Sequence, residues 1–97
     1  MNQNDAILSL ANRYCWDMPP EEFLAGKSRV ILRVMDIGDW DDCLLLEKIF
    51  QRSELALVLK DALAGSLRPR SWSFWHYRLG LIEPGQEPPP MPVREVA

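Results

Sequence analysis

The sequence has few of the residues that build metal sites and nucleophilic active sites. Its 97 residues include one histidine and two cysteines, Cys15 and Cys43. Structural zinc needs about four closely spaced cysteine or histidine ligands, so we expect no zinc. His76 lies in an aromatic-rich segment, and only aspartates distant in sequence could complete a catalytic triad with it. Since a glycine-rich phosphate loop is also missing, we predict no enzymatic activity, no metal and no cofactor.

The sequence also lacks long apolar runs. None approaches the roughly 18–20 apolar residues that a membrane-spanning helix requires, and the longest run near the N-terminus is Ala6–Leu8. We therefore expect a protein that does not enter membranes, has no signal peptide, resides in the cytoplasm and keeps both thiols reduced. A net charge of −3 gives the whole chain no electrostatic attraction to nucleic acid or to anionic lipid.

What remains is typical of a small folded domain. Hydrophobic residues make up 47% and charged residues 26% of the chain, the ordinary balance of a globular protein. The spacing of apolar residues predicts an all-α fold, a bundle of four or five helices over residues 1–82, followed by a proline-rich extended tail over residues 83–97. The predicted helices are Asn4–Asp17, Lys27–Ile37, Trp40–Phe50, a fourth from Ser53 to a cap at Gly65, and a fifth from Pro69 to Gly80.

Helix boundaries explain the acidic cluster between the second and third predicted helices. Asp36, Asp39, Asp41 and Asp42 lack the twelve-residue loop and closing glutamate of a calcium site. Gly38 is expected to end one helix in the left-handed conformation, and Asp39 to cap the next. The aspartates are therefore predicted to stabilise a helix start.

The helical patterns select a predicted core. Its members lie at i, i+3 and i+4 spacing within their helices. They are Leu10, Tyr14, Val30, Val34, Trp40, Leu46, Phe50, Leu55, Val58, Leu59, Leu63, Phe74, Trp75 and Leu79.

The third predicted helix has more apolar residues than one buried face can hold. Trp40, Leu46 and Phe50 occupy its predicted inner face, which leaves a second flank of Leu44, Leu45 and Ile49. Exposed apolar flanks are typical of interfaces. We therefore predict that Leu44, Leu45 and Ile49 bind a protein partner or a second copy of the chain.

Residues 66–82, which contain the fifth predicted helix, carry the only local excess of positive charge. Their basic residues are Arg68, Arg70, His76 and Arg78, interleaved with aromatic residues. Arginines can contact phosphates and aromatic rings can stack on unpaired bases, so these four residues are the candidates for binding operator DNA or RNA. The alternative, that the aromatic residues anchor the last helix in the core, is favoured by the low total charge.

Several short motifs resemble a known group of proteins. They are Trp16-Asp17, Val30–Met35, Gly38–Asp42, Arg68–Ser71, Phe74-Trp75 and Leu79-Gly80. Across about residues 15–81 the chain resembles a family of short bacterial helical proteins often encoded beside nucleotidyltransferase-like toxins of the AbiEii type. The resemblance implies an antitoxin-like role through a protein partner, with operator DNA as a further candidate, and it implies no catalytic residues. The sequence departs from the family pattern at Leu44-Leu45 and Glu47-Lys48.

Overall fold

Residues 2–92 fold into five α-helices, as the periodicity predicts. The computed structural model describes residues 2–92, and of Pro20 the backbone alone; residues 93–97 of the predicted tail lie outside the described part. The helices are α1 (Gln3–Tyr14), α2 (Lys27–Ile37), α3 (Trp40–Ile49), α4 (Arg52–Lys60) and α5 (Pro69–Arg78), with a 3₁₀ turn at Pro20–Glu22. Residues 2–92 contain no β-strand, so the all-α prediction is confirmed.

Helix α2 lies at the centre of the bundle. It packs against each of the other four helices. A helix surrounded in this way must be apolar on more than one face. Accordingly Ile31 and Leu32 are buried beside the predicted core residues Val30 and Val34.

The junction between α2 and α3 depends on close backbone packing. Asp39 caps α3 as predicted, since its side chain accepts a hydrogen bond from the backbone N–H of Asp42. The expectation for Gly38 is wrong, because its φ is −66° rather than positive. A Cβ at Gly38 would lie 2.4 Å from the carbonyl oxygen of Val34. Gly38 is therefore required by lack of space.

Helix α4 ends earlier than predicted. It stops at Lys60, and the chain turns before Gly65, which has a φ of +82° but lies beyond the helix end. The turn brings Leu67 into the core, where burial offsets the loss of further helical hydrogen bonds. Leu63 consequently leaves the helix and is 77% exposed, so its predicted place in the core is wrong.

The core contains most of the predicted residues, but some of its aromatic residues differ from those predicted. Leu10, Leu46, Leu55, Leu59 and Trp75 are among those fully buried. Predicted core residues Trp40 and Phe74 are instead exposed, at 52% and 43%. Trp72 is buried in their place. The inner face of α5 thus follows Trp72, Trp75, His76 and Leu79, at i, i+3, i+4 and i+7.

The described part of the proline-rich tail returns to the bundle. A turn at Pro84–Gly85 closes with a hydrogen bond from the backbone N–H of Gln86 to the carbonyl of Glu83. The chain then continues without helix or strand to Pro92. Met91 packs against the core, so the tail contributes to burial of the helices.

Candidate interaction surfaces

The outer side of α3 carries an exposed apolar surface. Trp40 and Leu44 are one turn apart on the helix, and Leu44 is 39% exposed. Phe74 of α5 meets Trp40 edge-on, with ring centroids 6.5 Å apart. We call Trp40, Leu44 and Phe74 the aromatic face. The helical pattern predicts both rings in the core, and the i, i+4 spacing of Trp40 and Leu44 is the one sequence signal for a shared surface.

The predicted interface residues of α3 are divided between two environments. Leu44 belongs to the aromatic face, whereas Leu45 and Ile49 are half-buried and pack against the core. Leu45 and Ile49 also line a shallow groove beside Gln3 of α1. Leu44 is thus the member of the predicted set that presents the most side chain to a partner.

Arg78 fixes the position of the aromatic face. Its guanidinium donates two hydrogen bonds to the carboxylate of Glu47, at 2.8 and 2.7 Å. The same guanidinium lies 4.6 Å from the centre of the Trp40 ring, within the range of a cation–π interaction. Arg78 therefore joins α5 to α3 and is neutralised by Glu47, which leaves little of its charge for a phosphate.

Arg68 is engaged at the start of α5. Its backbone N–H and Nε both donate to Oδ1 of Asp36, and its terminal nitrogen donates to the Asp36 carbonyl at 2.8 Å. Burial acts to raise the pKa of Asp36, but hydrogen bonds from Arg68 and Ser71 outweigh it and hold the pKa below its usual value. Asp36 is therefore ionised at neutral pH and ties α5 to the end of α2.

Arg70 differs from the other basic candidates. It is exposed and has no ion-pair partner among residues 2–92. Together with Arg68 it borders a cleft of about 270 Å³ whose walls include Trp40 and Phe74. The structure thus places two of the predicted arginines beside two exposed rings.

His76 faces the interior. It is buried, and its Nδ1 lies 2.7 Å from the carbonyl oxygen of Trp72. Because a carbonyl can only accept, Nδ1 carries the proton in this contact. The ring also packs on Trp72, with centroids 4.4 Å apart. His76 therefore does not share a surface with Arg68 and Arg70.

A second apolar surface lies between α4, α5 and the tail. It is an open groove of about 730 Å³, bordered by Leu57 and Lys60 of α4, by Trp72 and His76 of α5, and by Pro89 and Pro90. We call it the tail groove. No local sequence pattern indicates this groove, because its walls come from α4, from α5 and from a tail that returns to α5.

The buried carboxylate of Asp42 fixes the start of α3 against α1. Asp42 is buried and accepts hydrogen bonds from Arg13, at 2.7 and 2.6 Å, and from the Tyr14 hydroxyl at 2.5 Å. The Tyr14 hydroxyl in turn accepts from the backbone N–H of Asp39. Burial acts to raise the pKa of Asp42, but the bonds from Tyr14 and Arg13 outweigh it and lower the pKa.

The two cysteines are placed as packing residues rather than as reactive thiols. Both cysteines are free and buried, and burial raises the pKa of each thiol, which lowers thiol reactivity. Across residues 2–92 no three His, Cys, Asp or Glu side chains are placed to hold a metal ion. In the same range no helix has the length and apolar character to cross a membrane.

No protein-family model, no curated protein and no solved structure matches this chain.

Proposed function

We propose that this chain is a protein-interaction module that acts by binding a partner through the aromatic face rather than by catalysis. The observation that carries the proposal is the exposure of Trp40, Leu44 and Phe74 side by side on two adjoining helices. Neighbouring exposed apolar side chains on a small domain are the usual mark of a binding surface.

The chemistry of the aromatic face suits a protein partner. Tryptophan and arginine are the residues that most often dominate binding energy at protein interfaces, and here Arg78 stacks on Trp40. The pairing of Arg78 with Glu47 holds the tryptophan in place before a partner arrives. Such preorganisation reduces the entropy lost on association.

The resemblance supplies a candidate for the partner. We propose that it is a nucleotidyltransferase-like toxin of the AbiEii type in a bacterial cytoplasm, and that the chain acts on it as an antitoxin-like regulator. Self-association through the same face is the other candidate partner. Leu45 and Ile49 would then support the helix that carries the surface rather than contact the partner directly.

Replacing Leu44 by glutamate should weaken partner binding at least about tenfold, because the charge would lose its hydration in an apolar interface. The measurement is a pull-down of the tagged chain from its host lysate, with and without nuclease, followed by titration of the captured protein. The matched control is Leu63→Glu, since Leu63 is also an exposed leucine but borders a groove with Leu32 and Arg33 of α2 and no residue of α3.

Circular dichroism should show the same helicity for both variants. Equal binding by Leu44→Glu and Leu63→Glu would contradict the assignment of the aromatic face. If the wild-type chain elutes as a dimer and Leu44→Glu as a monomer, a second copy is the partner. Leu45→Glu is expected to unfold the chain partly, because Leu45 packs against the core.

One observation favours the second candidate function, nucleic-acid binding. Arg68 and Arg70 border the cleft that also contains Trp40 and Phe74, and basic residues beside exposed rings can hold single-stranded nucleic acid. In this reading Arg70 supplies the main phosphate contact, because Arg68 and Arg78 are held by Asp36 and Glu47.

If this second function operates, Arg70→Ala should weaken binding of a single-stranded oligonucleotide and reduce its salt dependence by about 0.7 in the log–log slope, the value for one lost phosphate contact. Fluorescence anisotropy over a salt series measures both quantities. Arg29→Ala is the control, because Arg29 is an exposed arginine on α2. Indistinguishable slopes for the two variants, or no binding by the wild type, would remove nucleic acid from consideration.

A further inference from the structure

The tail is held on α5 by two aromatic hydrogen-bond donors. The indole Nε1–H of Trp72 donates to the carbonyl oxygen of Pro89 at 2.8 Å. The hydroxyl of Tyr77 donates to the carbonyl oxygen of Gln86. These bonds involve only carbonyls of the tail, and Met91 adds an apolar contact with the core.

This arrangement matches the chemistry of proline-rich recognition. A proline has no N–H, so the carbonyl is the only backbone group that a Pro-Pro segment offers for hydrogen bonding. Grooves that bind such segments combine aromatic walls with donors to these carbonyls, and the extended ligand loses little entropy because its backbone is already stiff. Trp72 provides both the wall and the donor.

The tail covers only the α5 side of the tail groove. The tail forms one wall, and the opposite wall is α4, where Leu57 remains 58% exposed. Lys60 of α4 adds a cation to that wall. A longer segment from another protein could therefore make the tail's contacts with Trp72 and additional contacts with Leu57.

The tail is attached in a way that allows release. The connection from α5 contains Gly80 and Gly85, whose φ values of +70° and +90° are accessible to glycine without strain. Between residues 83 and 92 the one backbone–backbone hydrogen bond is the turn at Gln86. Displacing the tail thus breaks two side-chain hydrogen bonds and the Met91 contact, and leaves the helices intact.

We propose that the surface of α4 and α5 that includes Leu57 and Trp72 is a recognition site for an extended proline-rich segment of a partner protein, and that the chain's own residues 86–92 cover the α5 side of this surface when the partner is absent. This inference rests on the proposed protein-interaction function and adds a second contact, of defined chemistry, to the aromatic face. The tail then acts as an intramolecular competitor, and its short linker gives it a millimolar effective concentration.

The test uses the full chain and a synthetic peptide of residues 83–92 as the probe. In an open-tail variant, Pro89→Gly, Pro90→Gly and Met91→Ser together weaken the intramolecular contact. We expect the peptide to bind this variant at least about tenfold more tightly than the wild type, where the tail competes. Adding Trp72→Phe, which keeps a ring but removes the donor, should reduce peptide affinity about fivefold. The indole N–H signals in a ¹⁵N–¹H spectrum report binding at Trp72 directly.

A second measurement uses the wild type and tests the contact between the tail and Trp72 even if the open-tail variant does not fold. In the wild type, the Trp72 indole N–H should exchange with solvent at least about tenfold more slowly than that of Trp16, which is 73% exposed. Tyr77→Phe, which removes only the bond to Gln86, should bring the two rates closer.

Three results would overturn the inference. They are equal exchange rates at Trp72 and Trp16, absence of peptide binding by a folded open-tail variant at millimolar concentration, and dimerisation of that variant through the groove, which would make a second copy the occupant. Because this test uses only purified chain and peptide, its failure is separate from a failure of the Leu44→Glu pull-down, which tests the proposed function itself.

Discussion

Replacing Trp75 by alanine should remove a large share of the free energy of unfolding. Trp75 is fully buried, is the largest such side chain in the core, and donates a hydrogen bond from Nε1 to the carbonyl oxygen of Met35 at 2.9 Å. A buried Trp→Ala substitution costs about 3–5 kcal/mol, against a total stability of about 5–15 kcal/mol for a domain of this size. Thermal unfolding followed by circular dichroism should show a melting temperature lower by about 15–30 °C.

The neighbouring ring provides the control. Phe74 packs edge-on against Trp75, with centroids 5.4 Å apart, but is 43% exposed. Phe74→Ala should therefore cost only about 1 kcal/mol. A similar loss for the two variants would show that α5 is not oriented as described. Trp75→Phe should fall between them, because it fills most of the volume but leaves the Met35 carbonyl without its donor.

The sequence predicts helix α5 but not which of its sides faces the core. The periodicity predicts the stretch of sequence in which each helix lies, and α2 begins and ends at the predicted residues, whereas α1 and α4 end earlier than predicted, at Tyr14 and Lys60. Four aromatic residues within Trp72–Tyr77 fill both sides of α5, however, so an apolar pattern could not decide which ring faces inward. Tertiary contacts determine which side of α5 is buried. On that side Trp75 donates a hydrogen bond to the carbonyl of Met35 at the end of α2, and Trp72 donates one to the carbonyl of Pro89 in the returning tail.

Only part of the candidate surfaces could be predicted from the sequence. The apolar surplus of the third predicted helix identified Leu44, which is exposed. Which arginines remain available depends on acids distant in sequence, since Asp36 pairs with Arg68 and Glu47 with Arg78. A local count of charge cannot anticipate such pairs. The same limit applies to the tail groove, whose two walls are α4 and a tail segment separated from it by all of α5.

The second large stability effect is expected at Asp42. Asp42→Ala should lower the free energy of unfolding by about 2–3 kcal/mol, because it removes a charged acceptor and leaves the Tyr14 hydroxyl without an acceptor for its proton. Urea unfolding measures the difference. The matched control is Asp41→Ala, since Asp41 also lies in the first turn of α3 but is exposed, and its loss should cost less than about 1 kcal/mol.

Low pH should remove the contribution of Asp42 to the free energy of unfolding. Its pKa is lower in the folded chain than in the unfolded chain, so its stabilising effect is fully present above the unfolded value of about 3.9 and is lost as the pH falls through the folded value. The stability difference between wild type and Asp42→Ala should therefore be constant from pH 7 to about pH 5 and shrink below about pH 4. Asp36 has a lowered pKa for the same kind of reason, so Asp42→Ala should retain part of the acid sensitivity. A difference that stays constant to low pH would contradict this expectation, because it would mean that the bonds from Arg13 and Tyr14 do not favour the ionised form of Asp42 over its protonated form.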